Sequence, residues 1–556
     1  MISPVRKNCA FSMVMLLVAA APGCGGDSPG PEAPPPATVE ASIAVDAGDV
    51  LGAVHPHVYG HFIENLGQCI YGGIWQDKPQ VPTVHGGIRV DVLEMLRPIR
   101  PSVLRWPGGC FSDGYHWTDG IGPLRPVRVN RAWWLLNLLD PRIAPLDPNT
   151  FGTDEFIAFV RELGAEPYLA VNFGTGTPEE AAAWVAYCNA DISDTTSIGV
   201  DARGVDWRDA EHWARERLAH TGSGPYGVRY WGIGNEIYSW FELGGTDSVS
   251  YAQRLIEYHD RMKAIDPEIK LVAVGYDEDW NEDVLQIAGD SIEYLSVHAY
   301  YPDPFESIGR GVVDSEPDYY SLLASPGVLE GKLEDVGGTI ARVLGSNDRV
   351  KIALDEWNLW WDFRQLIHTE YSLRAGLFAA SVLAVLQRQA GVLGMASLSE
   401  MVNTIGMINT SETDLFATPI YHAFKLYRDH ALGLIVASRV ESETFESEPL
   451  GNIPAATGVP YLECAATRDE AGNTVSLIVV NRHYDHAIRT SVEVRGLAPK
   501  MELSAWELNG PDPHARNDFD HKDRVGITKL ESRRVSPVFQ YTFPPHSVTA
   551  MVLLGR

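Results

Sequence analysis

Two hydrophobic periods alternate between Val58 and Tyr427. Short runs rich in β-branched and aromatic residues are followed by longer stretches with helical spacing. Eight runs read as strands: VYGHFI (58–63), SVLRW (102–106), EPYLAVN (166–172), VRYWGIGN (228–235), KLVAVGY (270–276), YLSVHAY (294–300), VKIALDE (350–356) and VLGMASL (392–398). Between them, Phe156, Phe159, Val160 and Leu163 share one face of a helix over Asp154–Leu163, and Tyr251–Ile265 has the same spacing. Eight strands with helical crossovers predict an α/β fold, a (β/α)8 TIM barrel over residues 56–431. An open doubly wound sheet is the competing arrangement, but no G-x-G-x-x-G follows an early strand. After Leu432 the pattern becomes apolar–polar alternation broken by Gly, Pro, Asp and Asn, as in PYLECAATR, TVSLIVVNR, TSVEVRGL and HSVTAMVLL. That style predicts a C-terminal antiparallel β-sandwich domain over 432–556, joined by residues 39–55, which carry most of the strand-like ATVEASIAVDA.

Composition adds a compartment. Arg6 and Lys7 precede an apolar stretch from Ala10 to Ala21, and Gly23-Cys24 follows, the layout of a bacterial export signal over residues 1–24. A Cys after a small residue there predicts a lipoprotein lipidated on Cys24; a plain signal peptide is the alternative. Residues 25–38 (GGDSPGPEAPPPAT) lack large apolar side chains and read as a disordered linker. The expected location is therefore the cell envelope or the medium, with membrane contact only through the lipid anchor. A net charge of −29 argues against nucleic-acid or polyanionic partners. The other cysteines, Cys69, Cys110, Cys188 and Cys464, form neither a disulfide framework nor a C-x-x-C zinc pair. Cys69 and Cys110 fall after adjacent predicted strands, where a disulfide at the mouth of the barrel could form. Homo-oligomer formation is left open.

The chemistry lies at the strand ends. YWGIGNEIYSW carries Glu236 and VKIALDEWNLWW carries Glu356, each an acid at the end of an apolar run and surrounded by aromatics and an Asn. Carboxylates beside indoles are costly unless they act, and paired acids with flat apolar faces suit cleavage of a sugar acetal. A retaining glycosidase needs two carboxyls about 5–5.5 Å apart. In a barrel, the C-terminal strand ends meet on one rim. That rim would gather Glu64, Arg105-Trp106-Pro107-Gly108-Gly109, Asn172, Asn235-Glu236, His298, Tyr300, Glu356 and Glu400. Glu236 should have a raised pKa from burial and the Glu356 charge, and Glu356 should be held ionised by Arg105 and Tyr300. Trp240, Trp357, Trp360 and Trp361 divide between sugar-facing walls and core. His55, His57 and His61 read as hydrogen-bonded structural histidines rather than a metal site. The chemistry requires no metal or cofactor.

YGHFIENLGQCIYGGIW, LRWPGGCFSDGYHWTDGIGP, WGIGNE, SVHAYY and LDEWNLWW resemble the signature segments of glycoside hydrolase family 51, and the likeness runs from about residue 39 to the C-terminus. The resemblance implies a retaining α-L-arabinofuranosidase with Glu236 as general acid/base and Glu356 as nucleophile. It implies sugar-binding roles for Glu64, Arg105, Asn235 and Tyr300. The chain departs from the family pattern at Cys110, where Asn is usual, and at Glu400, where Gln is usual; both amides would be ligands of the sugar. The expected partner is a plant-type polysaccharide or oligosaccharide that loses arabinofuranosyl residues. Two readings compete: an endo-β-glucanase, xylanase or other furanosidase of the same family, and a glycan-binding surface lipoprotein without catalysis. An open cleft would favour the first, whereas retention of both Glu236 and Glu356 argues against the second.

Overall fold

The computed structural model describes residues 39–555 apart from 134, 135, 139, 144, 145, 306–313, 368 and 369. The predicted export segment 1–24 with Cys24, and the linker 25–38, lie outside the described residues. No helix among the described residues is long and apolar enough to cross a membrane.

The chain opens with β1 (Val39–Ala53) and then builds eight parallel strands. These are β2 (Gly60–Phe62), β3 (Val103–Trp106), β4 (Glu166–Val171), β5 (Tyr230–Ile233), β6 (Lys270–Ala273), β7 (Tyr294–Tyr301), β8 (Lys351–Leu359) and β9 (Leu393–Leu398). They close as β8-β9-β2-β3-β4-β5-β6-β7. Helices return the chain between strands: α1 (Val90–Leu96), α2 (Thr153–Leu163), α3 (Pro178–Asn189), α4 (Ala210–Thr221), α5 (Ser248–Ile265), α6 (Glu278–Ala288), α7 (Glu316–Leu344), α8 (Leu373–Arg388) and α9 (Pro419–His430). Each of the eight predicted strands appears, although the first is shorter than its apolar run. Pro56–Tyr59 winds into a 3-10 turn before β2 begins. The lower barrel is filled by Val103, Tyr168, Tyr230, Val272, Ala353 and Met395. This apolar layer makes the barrel a packed core and leaves chemistry to the rim above it.

The C-terminal region is a ten-stranded sheet that includes β1. Its strands are β10 (Leu434–Glu441), β11 (Thr444–Ser447) with β12 (Ala456–Pro460) as a separate hairpin, β13 (Leu462–Arg468), β14 (Thr474–Asn481), β15 (Ile488–Arg495), β16 (Met501–Asn509), β17 (Gly526–Lys529), β18 (Arg533–Val535), β19 (Val538–Phe543) and β20 (Ser547–Gly555). The pairing is antiparallel except where β1 lies parallel to β15, from Val39 opposite Ile488 to Asp46 opposite Arg495. Residues from distant strands, such as Ile43, Leu477, Val492, Leu503 and Phe543, share one core, so the sheet folds over itself as a sandwich. Its other face joins the barrel core through Ile478, Val480, Val548 and Ala550.

Candidate active site

The rim holds a pocket of about 510 Å³ whose walls include Glu64, Cys110, Asn235, Glu236, His298, Tyr300, Glu356 and Glu400. Arg105 lies beneath them, fully buried. Six of the eight strands thus bring these nine predicted side chains to one place.

Glu356 does not end its strand, as the sequence suggested, but lies inside β8, which runs on to Leu359. There the pairing of β8 with β7 slips between Ala353 and Glu356. Strict alternation would point Asp355 and Glu356 to opposite faces; the slip accompanies both acids facing the barrel interior. Asp355 becomes the hub beneath the pocket, accepting bonds from Tyr168 Oη (2.8 Å) and Ser296 Oγ (2.6 Å). Burial opposes its charge, but Arg105 and His298 hold its carboxyl down at about 2.

Glu356 receives Arg105 Nη1 at 2.5 Å on Oε1 and Tyr300 Oη at 2.6 Å on Oε2. Arg105 Nη2 also donates to Asn235 Oδ1 at 2.8 Å, fixing the Asn235 amide. Glu236 lies just past β5 with φ 43°, a left-handed conformation that a non-glycine residue adopts at some cost. Its Oε1 is 2.7 Å from His298 Nδ1. One donor atom each from Glu236, His298 and Glu356 lie within 4.8 Å of one another. That donor set could hold a metal ion, and on the sandwich surface His483, Asp485 and His486 form a second such cluster.

The expected rise in the Glu236 pKa is not what the arrangement produces. Burial pushes the carboxyl up, but the bond and charge of His298, a bond from Tyr238 and the Arg105 charge outweigh it and leave it below the ordinary value. Burial likewise opposes a charge on His298, yet Glu356, Asp355 and Glu236 push it up to about 10. At neutral pH the proton of this pair therefore rests on the imidazole.

The opposite wall is built differently. Glu64 Oε1 accepts from Phe111 N (2.7 Å) and Trp133 Nε1 (2.8 Å). Gly108 and Gly109 make room for it: a Cβ on Gly109 would lie 2.6 Å from Glu64 Oε2. Burial, only partly offset by these donors, pushes Glu64 up to about 8. Glu400 accepts from Glu64 N at 3.2 Å on Oε2, while its buried Oε1 has no hydrogen-bond partner. Burial first, then the Glu64 charge, raises Glu400 well above the ordinary carboxyl range.

Cys69 and Cys110 are free and buried, so no disulfide closes the mouth. Cys69 lies against Glu400. Cys110 accepts from Asn235 Nδ2 at 3.6 Å and lies against Glu242, a buried acid that the sequence pattern did not single out. Asn172 does not reach the pocket; it folds its own loop by accepting from Thr175 N and Gly176 N. Trp357 is core, stacked on Phe424, whereas Trp360 and Trp240 line the pocket. Trp361 packs its ring against Arg374 and Tyr371. Among the three histidines, His57 Nε2 meets Tyr230 Oη at 3.1 Å, but neither ring nitrogen of buried His61 has a partner. His61 instead packs against Phe424, so it is a core ring rather than a hydrogen-bonded one.

Residues 95–309 match the α-L-arabinofuranosidase 1 domain, and residues 355–547 match the α-L-arabinofuranosidase C-terminal domain. A probable α-L-arabinofuranosidase C of Aspergillus clavatus is 30% identical over 533 residues, covering 92% of this chain and 96% of that protein. The crystal structure of the Thermotoga maritima α-L-arabinofuranosidase in its arabinose complex is 37% identical, with a TM-score of 0.81 over 92% of this chain and 99% of that one. The chain belongs to glycoside hydrolase family 51, the α-L-arabinofuranosidase family. A family 51 arabinofuranosidase from Xanthomonas axonopodis pv. citri, 26% identical, matches with a TM-score of 0.78 over 93% of this chain and all of that chain. Family 51 membership fits the barrel, the appended sheet domain and the paired acids described above.

Proposed function

We propose that this enzyme is an exported, exo-acting, retaining α-L-arabinofuranosidase. The observation that carries the reading is the pair Glu236 and Glu356, whose oxygens lie within 4.8 Å at the floor of a pocket. That spacing suits direct attack and leaves no room for the water an inverting enzyme inserts. Glu356, with Arg105 and Tyr300 fixing its two oxygens, attacks the anomeric carbon. The bond to the leaving oxygen breaks as the His298 proton passes to Glu236 and Glu236 delivers it to that oxygen. Water then attacks the glycosyl ester, Glu236 takes the water's proton, and the ester bond to Glu356 breaks. His298, 2.7 Å from Glu236, is the adjacent proton store. Asn235, with its Oδ1 turned to Arg105, presents Nδ2 to the hydroxyl beside the anomeric carbon.

Exo action is supported by the bulky side chains that wall the site, among them Trp133, Leu366, Phe305 and Trp360. Glu64 and Glu400, both raised toward the neutral acid, suit hydrogen bonding to the remaining hydroxyls of a neutral furanose. The Thermotoga maritima relative was solved with arabinose, which supports the same sugar here. The substrate would be a plant-type polysaccharide or its oligosaccharides, processed in the cell envelope after lipidation at Cys24.

A panel of nitrophenyl glycosides (α-L-arabinofuranoside, β-D-xyloside, β-D-galactofuranoside and β-D-glucoside), with products followed by NMR, tests the activity. The α-anomer of arabinose should appear first. Initial release of the β-anomer, or cleavage of a pyranoside in preference, would overturn the reading. Lipid labelling that survives Cys24→Ala would overturn the anchor.

A further inference from the structure

Strand β7 carries both residues that serve the catalytic acids: His298 bonds Glu236 and Tyr300 bonds Glu356. Yet on its β6 side, residues 296–301 of that strand pair with no strand among the described residues. β6 ends at Ala273, opposite Leu295, whereas β8 accompanies β7 as far as Tyr301 opposite Leu359. Beyond Leu295 the main-chain groups on the β6 side face no strand among the described residues, and buried carbonyls need donors.

Two side chains from outside the barrel sheet supply them. Lys332 Nζ, on α7, donates to the carbonyl oxygen of His298 at 2.8 Å. Asn452 Nδ2, from the tip of the β11–β12 hairpin, donates to the carbonyl oxygen of Tyr300 at 2.8 Å, and Asn452 Oδ1 accepts from Asp303 N at 2.9 Å. Asn452 is itself rigidly held. Leu450 and Ile453 exchange main-chain bonds on either side of it, at 2.9 and 3.0 Å, and both side chains are buried. The hairpin is tied to α7 by the Phe445 ring against Tyr320 (4.7 Å) and by Ser321 Oγ donating to Glu448 O at 2.7 Å. Lys332 and Asn452 thus belong to one packed unit that grips β7 at two alternate carbonyls.

We propose that Lys332 and Asn452 are positioning residues forming a two-point clamp on the open edge of β7, which makes the C-terminal hairpin part of the active site. Lys332 acts through His298 on Glu236; Asn452 acts through Tyr300 on Glu356. Both side chains line the pocket wall, but their role is to fix the strand. The inference rests on the roles proposed above for Glu236 and Glu356.

Because the two points serve different acids, they separate by leaving group. Aryl arabinofuranosides with good leaving groups need little proton donation; alkyl and sugar leaving groups need much. Lys332→Met should lower kcat/KM by about tenfold to a hundredfold on the poor leaving groups and far less on a dinitrophenyl glycoside. Asn452→Ala should lower kcat/KM by a similar factor on all of them alike, because attack by Glu356 is common to every substrate. Asn452→Asp keeps the acceptor for Asp303 N but not the donor to Tyr300 O, so it should match Asn452→Ala. Lys332→Gln, which retains a donor, is the second variant at that position if Lys332→Met fails to fold. Unchanged kcat/KM in the folded variants, or losses that show no leaving-group difference and follow the fall in melting temperature, would overturn the clamp. The wild-type rate on these glycosides reports the proposed activity separately. Should wild type prefer another glycoside, the same ratios are read on that sugar.

Discussion

The two halves of the pocket treat buried carboxyls in opposite ways. Around Glu236, Asp355 and Glu356, cations are built in: Arg105 and His298 both lie under the site, and Asp355 is held at about 2 despite complete burial. Around Glu64 and Glu400, and around Glu242 behind Cys110, no salt bridge reaches any of the three acids among the described residues; thiols, main-chain amides and an indole surround them. Glu64 is pushed up to about 8, and Glu400 and Glu242 are raised well beyond the ordinary range. The lesson is that burial opposes charge on both sides and the placement of two cations decides which acids remain charged. The charged half suits bond making at the anomeric carbon, and the neutral half suits hydrogen bonds to sugar hydroxyls.

Removing a carboxyl from the charged half should produce the largest effects. Glu356→Ala should reduce turnover to background on every substrate. Glu236→Ala should lose about 10²- to 10⁴-fold on poor leaving groups and much less on activated aryl glycosides. Azide should partly rescue Glu236→Ala and yield a glycosyl azide of retained configuration, because azide attacks the glycosyl-enzyme from the face water uses. If azide rescues Glu356→Ala and not Glu236→Ala, the two roles are exchanged.

Next in size is a stability effect from the neutral half. Glu64 has a folded-state value of about 8 against an ordinary 4.5, so the folded protein keeps a proton that the unfolded chain releases. Stability from this group is fully present below about pH 4.5 and is lost as pH rises through about 8. Asp113, raised to about 7 by burial against its main-chain donors, adds to the same slope. Over that window the Glu64 contribution is on the order of a few kcal/mol. Calorimetry of Glu64→Gln should show a flatter dependence of melting temperature between pH 5 and pH 8 than wild type. An identical slope in both proteins would mean that Glu64 is ionised when folded.

The sequence made the paired acids legible because each ends an apolar run that only a strand explains, and the barrel follows from eight such runs. What it hid follows from local departures that no period encodes. Alternation from Ala353, which fills the barrel, keeps Asp355 inside and points Glu356 away, and the slip in pairing accompanies Glu356 turning in beside it. The proton of the acid/base pair could not be placed from sequence, since His298 was visible as a rim residue but its bonds to both acids were not. Cys69 and Cys110 follow adjacent strands, yet each faces its own buried acid, Glu400 and Glu242, rather than the other. Asn452 lies in the sandwich sequence, far beyond the last barrel helix, where no pattern links it to Tyr300.

A smaller effect should come from restoring neutral amides to the neutral half. Cys110→Asn with Glu400→Gln gives the buried Glu400 position, whose Oε1 now lacks a partner, an amide that both donates and accepts. The double variant should gain about 1–3 kcal/mol in transition-state binding of an α-L-arabinofuranoside relative to a β-D-galactofuranoside. Measured kcat/KM values for both sugars decide it. A ratio equal to that of wild type sinks the idea that these two positions set sugar choice.

The smallest expected effect is at the pocket mouth. Trp240 lines the pocket mouth and is 87% exposed, with its edge toward Phe241 at 5.7 Å. A side chain so exposed contributes little to the fold, so Trp240→Ala should leave the melting temperature unchanged. It follows Glu236, the donor to the leaving oxygen, by four residues, and its exposed ring offers a flat face to a sugar ring beyond that oxygen. Loss of that face should weaken kcat/KM on an arabino-oligosaccharide by about 0.5–1.5 kcal/mol. Arabinofuranosyl fluoride has no ring on its leaving side and serves as the control. With that substrate the variant should match wild type, because the cations, acids and clamp around the anomeric carbon are untouched. Equal losses on the fluoride and the oligosaccharide would show that Trp240 acts on the catalytic pair itself, and the separation between a chemical floor and a passive rim would have to be abandoned.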